Sequence, residues 1–248
     1  AGTVFIKEFA IEREPGDRST LRPVETRFLV KRCNPGACPF PWQGYSYQWD
    51  EAGREAVLLH NRKDAVLVDW PRGEGTHTHV YPSRTDCIEC HAPAAGAVLG
   101  IQTAQLNHPH DYEGIVDNQV RALGHAGLVT GAPDSASELP RFPRPNDPAL
   151  ALDGRVRSYL HANCAHCHRP DGAFPVLDLR IEAVLESGGN VCDHIVPGDP
   201  DASLLYLKPS VREPDVPPGL RGDPMPPLGS LLPDIRQLAL TREWIASM

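Results

Sequence analysis

The sequence predicts an α+β chain of 248 residues: an N-terminal antiparallel β-sheet domain, then a mainly α-helical one. Three observations predict it. Short apolar and aromatic runs with strand-like alternation crowd residues 3–82. Helical periodicity is confined to the later chain, above all at Asp153–Asn163 and from Pro233 to Ser247. A five-residue pattern, C-x-x-C-H, occurs twice, as Cys87-Ile88-Glu89-Cys90-His91 and as Cys164-Ala165-His166-Cys167-His168. The copies stand 77 residues apart, which favours one domain around each.

Thr3–Ile11 carries Val4, Ile6 and Phe9, and Thr26–Val30 is a second run. Gly44–Trp49 alternates polar with aromatic and so sets Tyr45, Tyr47 and Trp49 on one face. Ala56–Leu59 and Ala65–Val68 flank Asn61-Arg62-Lys63-Asp64, which reads as a hairpin turn. Thr76–Tyr81 is a last strand, ended by Pro82, and the chain passes from it into Cys87. Between the second and third runs, Asn34-Pro35-Gly36 forces a turn bracketed by Cys33 and Cys38. A Cys33–Cys38 disulfide is the favoured pairing. The alternative joins Cys192 to one of the two, and an odd thiol remains either way.

Beyond the first motif, Ala92–Gln105 is small and apolar until His108-Pro109-His110 breaks it. Asp117–Gly124 reads as helical, with Val116, Val120 and Leu123 on one face. Residues 131–148 hold five prolines and read as an extended linker. This divides the chain into residues 1–130, the linker, and residues 149–248. Asp153–Asn163 feeds the second motif, and Ile181–Leu185 is a possible further turn of helix. Val196–Pro200 turns the chain into a helix over Ser203–Lys208. Residues 209–229 are proline-rich and contain Met225. The closing helix has Pro233 at its first position and buries Ile235, Leu238 and Ile245, with Trp244 beside them.

Composition narrows the classes. Proline makes up 26 of the 248 residues. That is about twice ordinary usage and implies short elements on long connections. The net charge of −8, without basic patches, argues against a nucleic-acid partner. No apolar run approaches a membrane span.

The motif explains the rest. Two thiols three residues apart can add to the two vinyl groups of one porphyrin, and the histidine that follows is placed to bind the iron. Structural zinc sites also use C-x-x-C pairs. A histidine directly after both pairs favours two covalently bound haem c groups, held by Cys87, Cys90 and His91 and by Cys164, Cys167 and His168. Thioether attachment occurs on the oxidising side of a membrane. An extracytoplasmic, periplasmic protein is therefore expected, with its signal removed or the chain part of a longer one.

Only Met225 and Met248 could offer a thioether to iron, and Met248 is terminal. Met225 stands between Pro224 and Pro226, on a stiffened backbone. A soft, neutral thioether favours Fe(II), so a His168/Met225 haem suits electron transfer. The far side of the first haem has His77, His79, His108 and His110 as candidates, His60 and His125 as weaker ones, and an open iron as the remaining option. His161 is expected to make a local hydrogen bond or to pack near a haem edge, and His166 to point outward. Arg84 and Arg169 are either propionate partners or solvated charges.

Helix, C-x-x-C-H, loops, a methionine among prolines and a closing helix follow one another in the order of a class I cytochrome c. Residues 149–248 resemble cytochrome c-like domains of bacterial extracytoplasmic proteins through Tyr159–Arg169, Val196–Tyr206 and Met225–Gly229. With Glu25–Leu29, Trp42–Trp49, Tyr81–His91 and Leu99–Asn107, nearly the whole chain resembles a di-haem cytochrome module. That module is found fused to, or encoded beside, PQQ-dependent sugar dehydrogenases. The N-terminal half is also similar to the cytochrome P460 and cytochrome c′-beta group, through Gly2–Lys7 and the strand entering the first motif. That second resemblance implies a five-coordinate haem in an apolar pocket. It leaves Lys7, Lys31 and Lys63 as equal candidates for a haem cross-link.

The expected function is electron transfer in the periplasm. The electrons would come from a redox partner, a PQQ-dependent dehydrogenase or another cytochrome. The alternative is a haem enzyme or gas-binding protein, peroxidase-like or similar to the second group above, acting at an open first haem.

Overall fold

A computed structural model describes residues 2–14, 17–34, 36–61, 64–69, 76–183, 194–211, 224–227 and 233–248, with backbone alone for 64–69 and 76–78. Cys192, Lys63, the side chain of His77, residues 184–185 and most of the proline-rich stretch around Met225 lie outside the described residues. Two compact units result. The first comprises Ala1–Cys90 and Leu207–Asp234, the second His91–Tyr206 and Ile235–Met248.

The first unit is built on an antiparallel meander, in which strands β1 (Val4–Glu12), β2 (Leu21–Lys31), β3 (Trp42–Trp49) and β4 (Ala56–Leu58) pair in chain order. The ladder places Lys7 opposite Arg27 and Arg27 opposite Ser46. Phe9 likewise stands opposite Glu25. Strand alternation then puts Phe5, Lys7, Phe9, Glu25, Arg27, Gly44 and Ser46 on one face. Tyr45, Tyr47 and Trp49 share the other, as their spacing predicts. The small residues of β3 are the ones fully covered: Gly44 and Ser46 are buried and the three aromatics half-buried.

Pro23 has no N–H to give the ladder. The register slips there: Phe9 faces Glu25 and Ala10 faces Pro23. Val24 is therefore the extra residue of a β-bulge. Alternation fails at that point, so Val24, Glu25 and Thr26 are buried in succession.

Strands β5 (Asp64–Asp69) and β6 (Thr76–Tyr81) form a separate two-stranded ribbon. The hairpin expected across residues 61–64 does not form, because β4 pairs with β3 and β5 with β6. The Leu59 N–H donates to the Ser46 carbonyl, keeping this segment on the β3 edge. The Asn61 side chain is engaged by the Arg84 N–H. Cys33 and Cys38 are bonded to one another, with Cα atoms 6.3 Å apart, which is the favoured pairing. The strand β6 leads to helix α1 (Arg84–Cys90).

In the second unit a one-turn helix α2 (Thr103–Leu106) precedes a hairpin of β7 (Pro109–Tyr112) and β8 (Ile115–Asn118), then α3 (Gln119–His125). The sequence reading placed Val116 on a helix face. It lies instead in β8 and is exposed. Glu113 and Gly114 take φ values of +54° and +95°, the two-residue turn that closes a hairpin. The Asn118 side chain then accepts from the Val120 N–H and starts α3 only there. Residues 131–148 contain no helix or strand. They are tied down by Asn107, whose buried carboxamide donates to the carbonyls of Ala136 and Leu139.

Helices α4 (Leu152–Asn163), α5 (Leu204–Ser210) and α6 (Ile235–Ala246) complete the described elements. Val156 and Leu160 of α4 pack with Leu240, Trp244 and Ile245 of α6, and with Leu177, Leu179, Ile195 and Leu205, in one core. The phase of α6 corrects the sequence reading. Its buried stripe is Gln237, Leu240, Thr241, Trp244 and Ile245, whereas Ile235 is 71% exposed and Leu238 only half-buried. Two polar residues sit in the stripe because each has a partner. Gln237 donates to the Asn146 side chain and Thr241 to the Gln237 carbonyl. Pro233 lies before the helix, and residues 181–183 form a turn.

Candidate functional site

The first motif stands on α1. Ser83 and Asp86 exchange hydrogen bonds, the Ser83 N–H to Asp86 Oδ2 at 2.8 Å and the Asp86 N–H to Ser83 Oγ at 3.1 Å. This is a capping box. Its S-x-x-D signature is legible in Ser83-Arg84-Thr85-Asp86, and the sequence reading passed over it. The helix so started puts Cys87 and Cys90 three residues apart on one face.

Cys87 packs against the sheet, where only glycine fits. A Cβ at position 44 would lie 2.6 Å from Cys87 Sγ and 2.9 Å from its Cβ. Gly44→Ala is expected to push α1 off the sheet and to cost about 1–3 kcal/mol, as overpacking does. A thermal melt of the variant against the parent checks it. Burial also pushes the Cys87 thiol up in pKa.

His91 follows the helix directly. Its Nδ1 lies 2.7 Å from the Ala97 carbonyl oxygen. A carbonyl only accepts, so Nδ1 carries the hydrogen and Nε2 keeps the basic lone pair. Metal-binding histidines are commonly oriented by such a bond from the other ring nitrogen. The loop is shaped to make it, since Gly96 and Ala97 take φ values of +79° and +62° in succession and turn the chain back.

The second motif follows the end of α4. The Cys164 carbonyl accepts from the N–H groups of Cys167, at 3.1 Å, and His168, at 2.9 Å, closing the motif into one turn. The Cys164 side chain packs on the core, and burial pushes its thiol up to about 12. The His168 ring stacks on Phe174, with centroids 5.7 Å apart. His161 uses both ring nitrogens: Nδ1 accepts from the Ile181 N–H, and Nε2, 3.0 Å from Gln102 Oε1, donates. It does hydrogen-bond as expected, but to partners 59 and 20 residues away and not to local ones. Burial holds its pKa below the usual histidine range.

Met225 is half-buried, and its N–H donates to the Lys208 carbonyl at 3.0 Å. Met225 belongs to the first unit and His168 to the second. Among the other candidates, His108 Nδ1 accepts from Arg144 Nε. His60, His110 and His125 are exposed. The Arg84 guanidinium lies 4.9 Å over the Tyr45 ring.

His79 sits in a group that sequence reading did not foresee. Glu25 is fully buried. Its carboxylate accepts two bonds of 2.7 Å from Arg27 and faces His79 Nε2 at 2.9 Å. Burial pushes the Glu25 pKa up, but the bonds from His79 and Arg27 and the charge of Arg27 outweigh it and hold the group below its usual value. A depressed carboxyl stabilises the fold above its unfolded pKa of about 4.3 and loses that contribution as pH falls through its folded value. The melting temperature is accordingly expected to fall on acidification below about pH 4. Glu25→Gln is expected to blunt that loss, while costing roughly 3 kcal/mol near neutrality by leaving Arg27 without its anion. Melts of both proteins between about pH 3 and pH 7 check the sign.

Among the described residues the disulfide leaves the four motif cysteines as thiols. The donor chemistry fits haem c: paired thiols, then an imidazole, and at the first motif an imidazole already oriented by its Nδ1 bond. No helix among the described residues is long and apolar enough to cross a membrane. Comparison of the chain with protein-family models, curated proteins and solved structures finds no match in any of the three.

Proposed function

We propose that the chain is a di-haem c-type cytochrome that carries electrons in an extracytoplasmic compartment, taking them from a dehydrogenase. The observation that carries this is His91, whose Nδ1 bond to Ala97 leaves Nε2 for a metal directly after two thiols on one helix face. Cys87 and Cys90 would hold one haem, with His91 on its iron. Cys164 and Cys167 would hold the other, with His168 and Met225 on its iron. Haem c supplies a one-electron couple whose potential its axial ligands set.

The protein's own residues do the rest. Gly44 admits Cys87 to the sheet, the Ala97 carbonyl orients His91, and half-buried Cys164 packs against the apolar core that joins α4 to α6. That packing, and the order of helix, motif, methionine and helix, support a class I cytochrome c-like second half. A PQQ-dependent dehydrogenase or another cytochrome is the partner class proposed. The Cys33–Cys38 bond is compatible with an oxidising compartment.

A second reading, a gas-binding or enzymatic first haem, is favoured by one observation. His79 and His108, two of the candidate distal ligands, are already engaged by Glu25 and Arg144. Intact mass and difference spectra decide. Two covalent haems without a carbon monoxide shift are expected for electron transfer. A shift at one haem selects the second reading, and a colourless protein of bare polypeptide mass rejects both.

A further inference from the structure

The first unit buries an acid–base group that passing electrons does not by itself require. Glu25 is fully covered, fixed by Arg27 on one side and by His79 on the other. His79 is the outlet, since its side chain keeps 16% of its surface in water while that of Glu25 keeps none. Phe9 and Tyr81 close edge-on against the imidazole, with centroids at 6.1 and 4.9 Å. The group lies on the sheet face that carries Gly44, against which Cys87 of the first motif packs. A carboxylate only accepts, so the bond to Glu25 assigns the hydrogen to His79 Nε2 and leaves Nδ1 to be protonated.

We infer that the Glu25–His79 pair is a proton-linked site for the cofactor of the first motif, one proton being held at His79 while that cofactor is reduced. The inference rests on the di-haem reading above. In each cycle one electron comes from a one-electron donor, a reduced partner protein in function and dithionite in the test. One proton comes from the solvent: an O–H bond of hydronium breaks, releasing water, as the Nδ1–H bond of His79 forms, and no other bond changes. Oxidation returns both.

The physical cause is charge. An added electron makes the neighbourhood more negative and raises the proton affinity of an imidazole near it, with little screening in a buried setting. The groups facing the pair set its balance. Lys7 from β1 and Arg27 from β2 bring positive charge and Glu25 brings negative charge. Ser46 of β3 and Tyr81 of β6 bring no charge at neutral pH, β5 sets Val66 opposite His79, and α1 brings Cys87 and Asp86. Burial and the charge of Arg27 pull the Lys7 pKa down.

Spectroelectrochemical titration of the mature protein from about pH 5 to about pH 9 spans the range in which a histidine titrates. One of the two midpoints is expected to fall as pH rises, by up to one proton per electron, and the other to stay level. His79→Gln should flatten the sloping midpoint alone. Glu25→Gln should move the sloping region to lower pH, because the anion that favours imidazolium is gone. Should Glu25→Gln fail to fold, His79→Gln decides alone, since it alters the residue that reaches solvent. Two level midpoints in the parent, or an unchanged slope in His79→Gln, overturn the proton link. Intact mass on the same samples separates the failures. Fewer than two haems in the parent overturns the di-haem reading together with the inference, whereas two haems with an unchanged slope overturns the inference alone.

Discussion

The Cys164→Ser/Cys167→Ser double variant will mature with one haem fewer and will lose cooperative unfolding of the second unit. A serine hydroxyl does not form the thioether, so the change in mass follows from the proposed attachment. The loss of stability follows from where Cys164 sits. It packs on the cluster of Val156, Leu160, Leu177, Leu179 and Ile245, the core that joins α4 to α6. A porphyrin anchored there would supply apolar surface that the chain itself cannot replace, for the aromatic content is low, at 6%. Withdrawing it removes stabilisation comparable to that of a whole small domain, about 5–15 kcal/mol. Intact mass checks the attachment. Thermal unfolding followed by far-ultraviolet circular dichroism checks the packing, where a broad, shallow transition replaces a steep one. A variant that keeps the parent's haem mass refutes the assignment.

Met225→Ala will lower the midpoint of one haem and leave the other unmoved. A thioether donates weakly and stabilises Fe(II), so its removal favours the oxidised iron. Axial ligands spread haem potentials over about 0.8 V, and losing one good ligand is worth on the order of tenths of a volt. Met225 is held for such a role by Pro224 and Pro226 beside it and by its N–H bond to the Lys208 carbonyl. Met225→Leu separates ligation from space-filling. Leucine replaces the volume at a cost below about 1.5 kcal/mol but offers no lone pair. A midpoint that drops in both variants is the result expected of a ligand. Drops confined to the alanine variant indicate packing, and an unchanged redox titration of both removes Met225 from the iron.

Legibility in the sequence followed the range of the forces involved. Local apolar and aromatic patterning gave β1, β3 and β6, and the oxidising compartment implied by the motifs, with a turn bracketed by Cys33 and Cys38, gave the disulfide. Errors arose where a partner far along the chain decides. The α6 stripe was misphased because Gln237 and Thr241 are polar and look like surface, until Asn146 and the Gln237 carbonyl are seen to satisfy them. The β7–β8 hairpin was hidden by the helical spacing of Val116, Val120 and Leu123, although Glu113-Gly114 is a two-residue turn signal. The capping box before Cys87 was readable and went unread. The Glu25–Arg27–His79 group was not readable, because 54 residues separate Glu25 from His79 and only the fold brings them together.

Proline 23 has an effect well beyond its own ladder position. The irregularity it imposes makes Val24 a supernumerary residue, and the Val24 carbonyl takes the hydroxyl of Tyr81 at 3.3 Å. Tyr81 in turn braces the ring of His79. A missing amide hydrogen in one strand thus acts as a pin between meander and ribbon, and it steadies the imidazole beside its carboxylate. Straightening that strand, by deleting Val24, would set the imidazole adrift without touching a single charged residue.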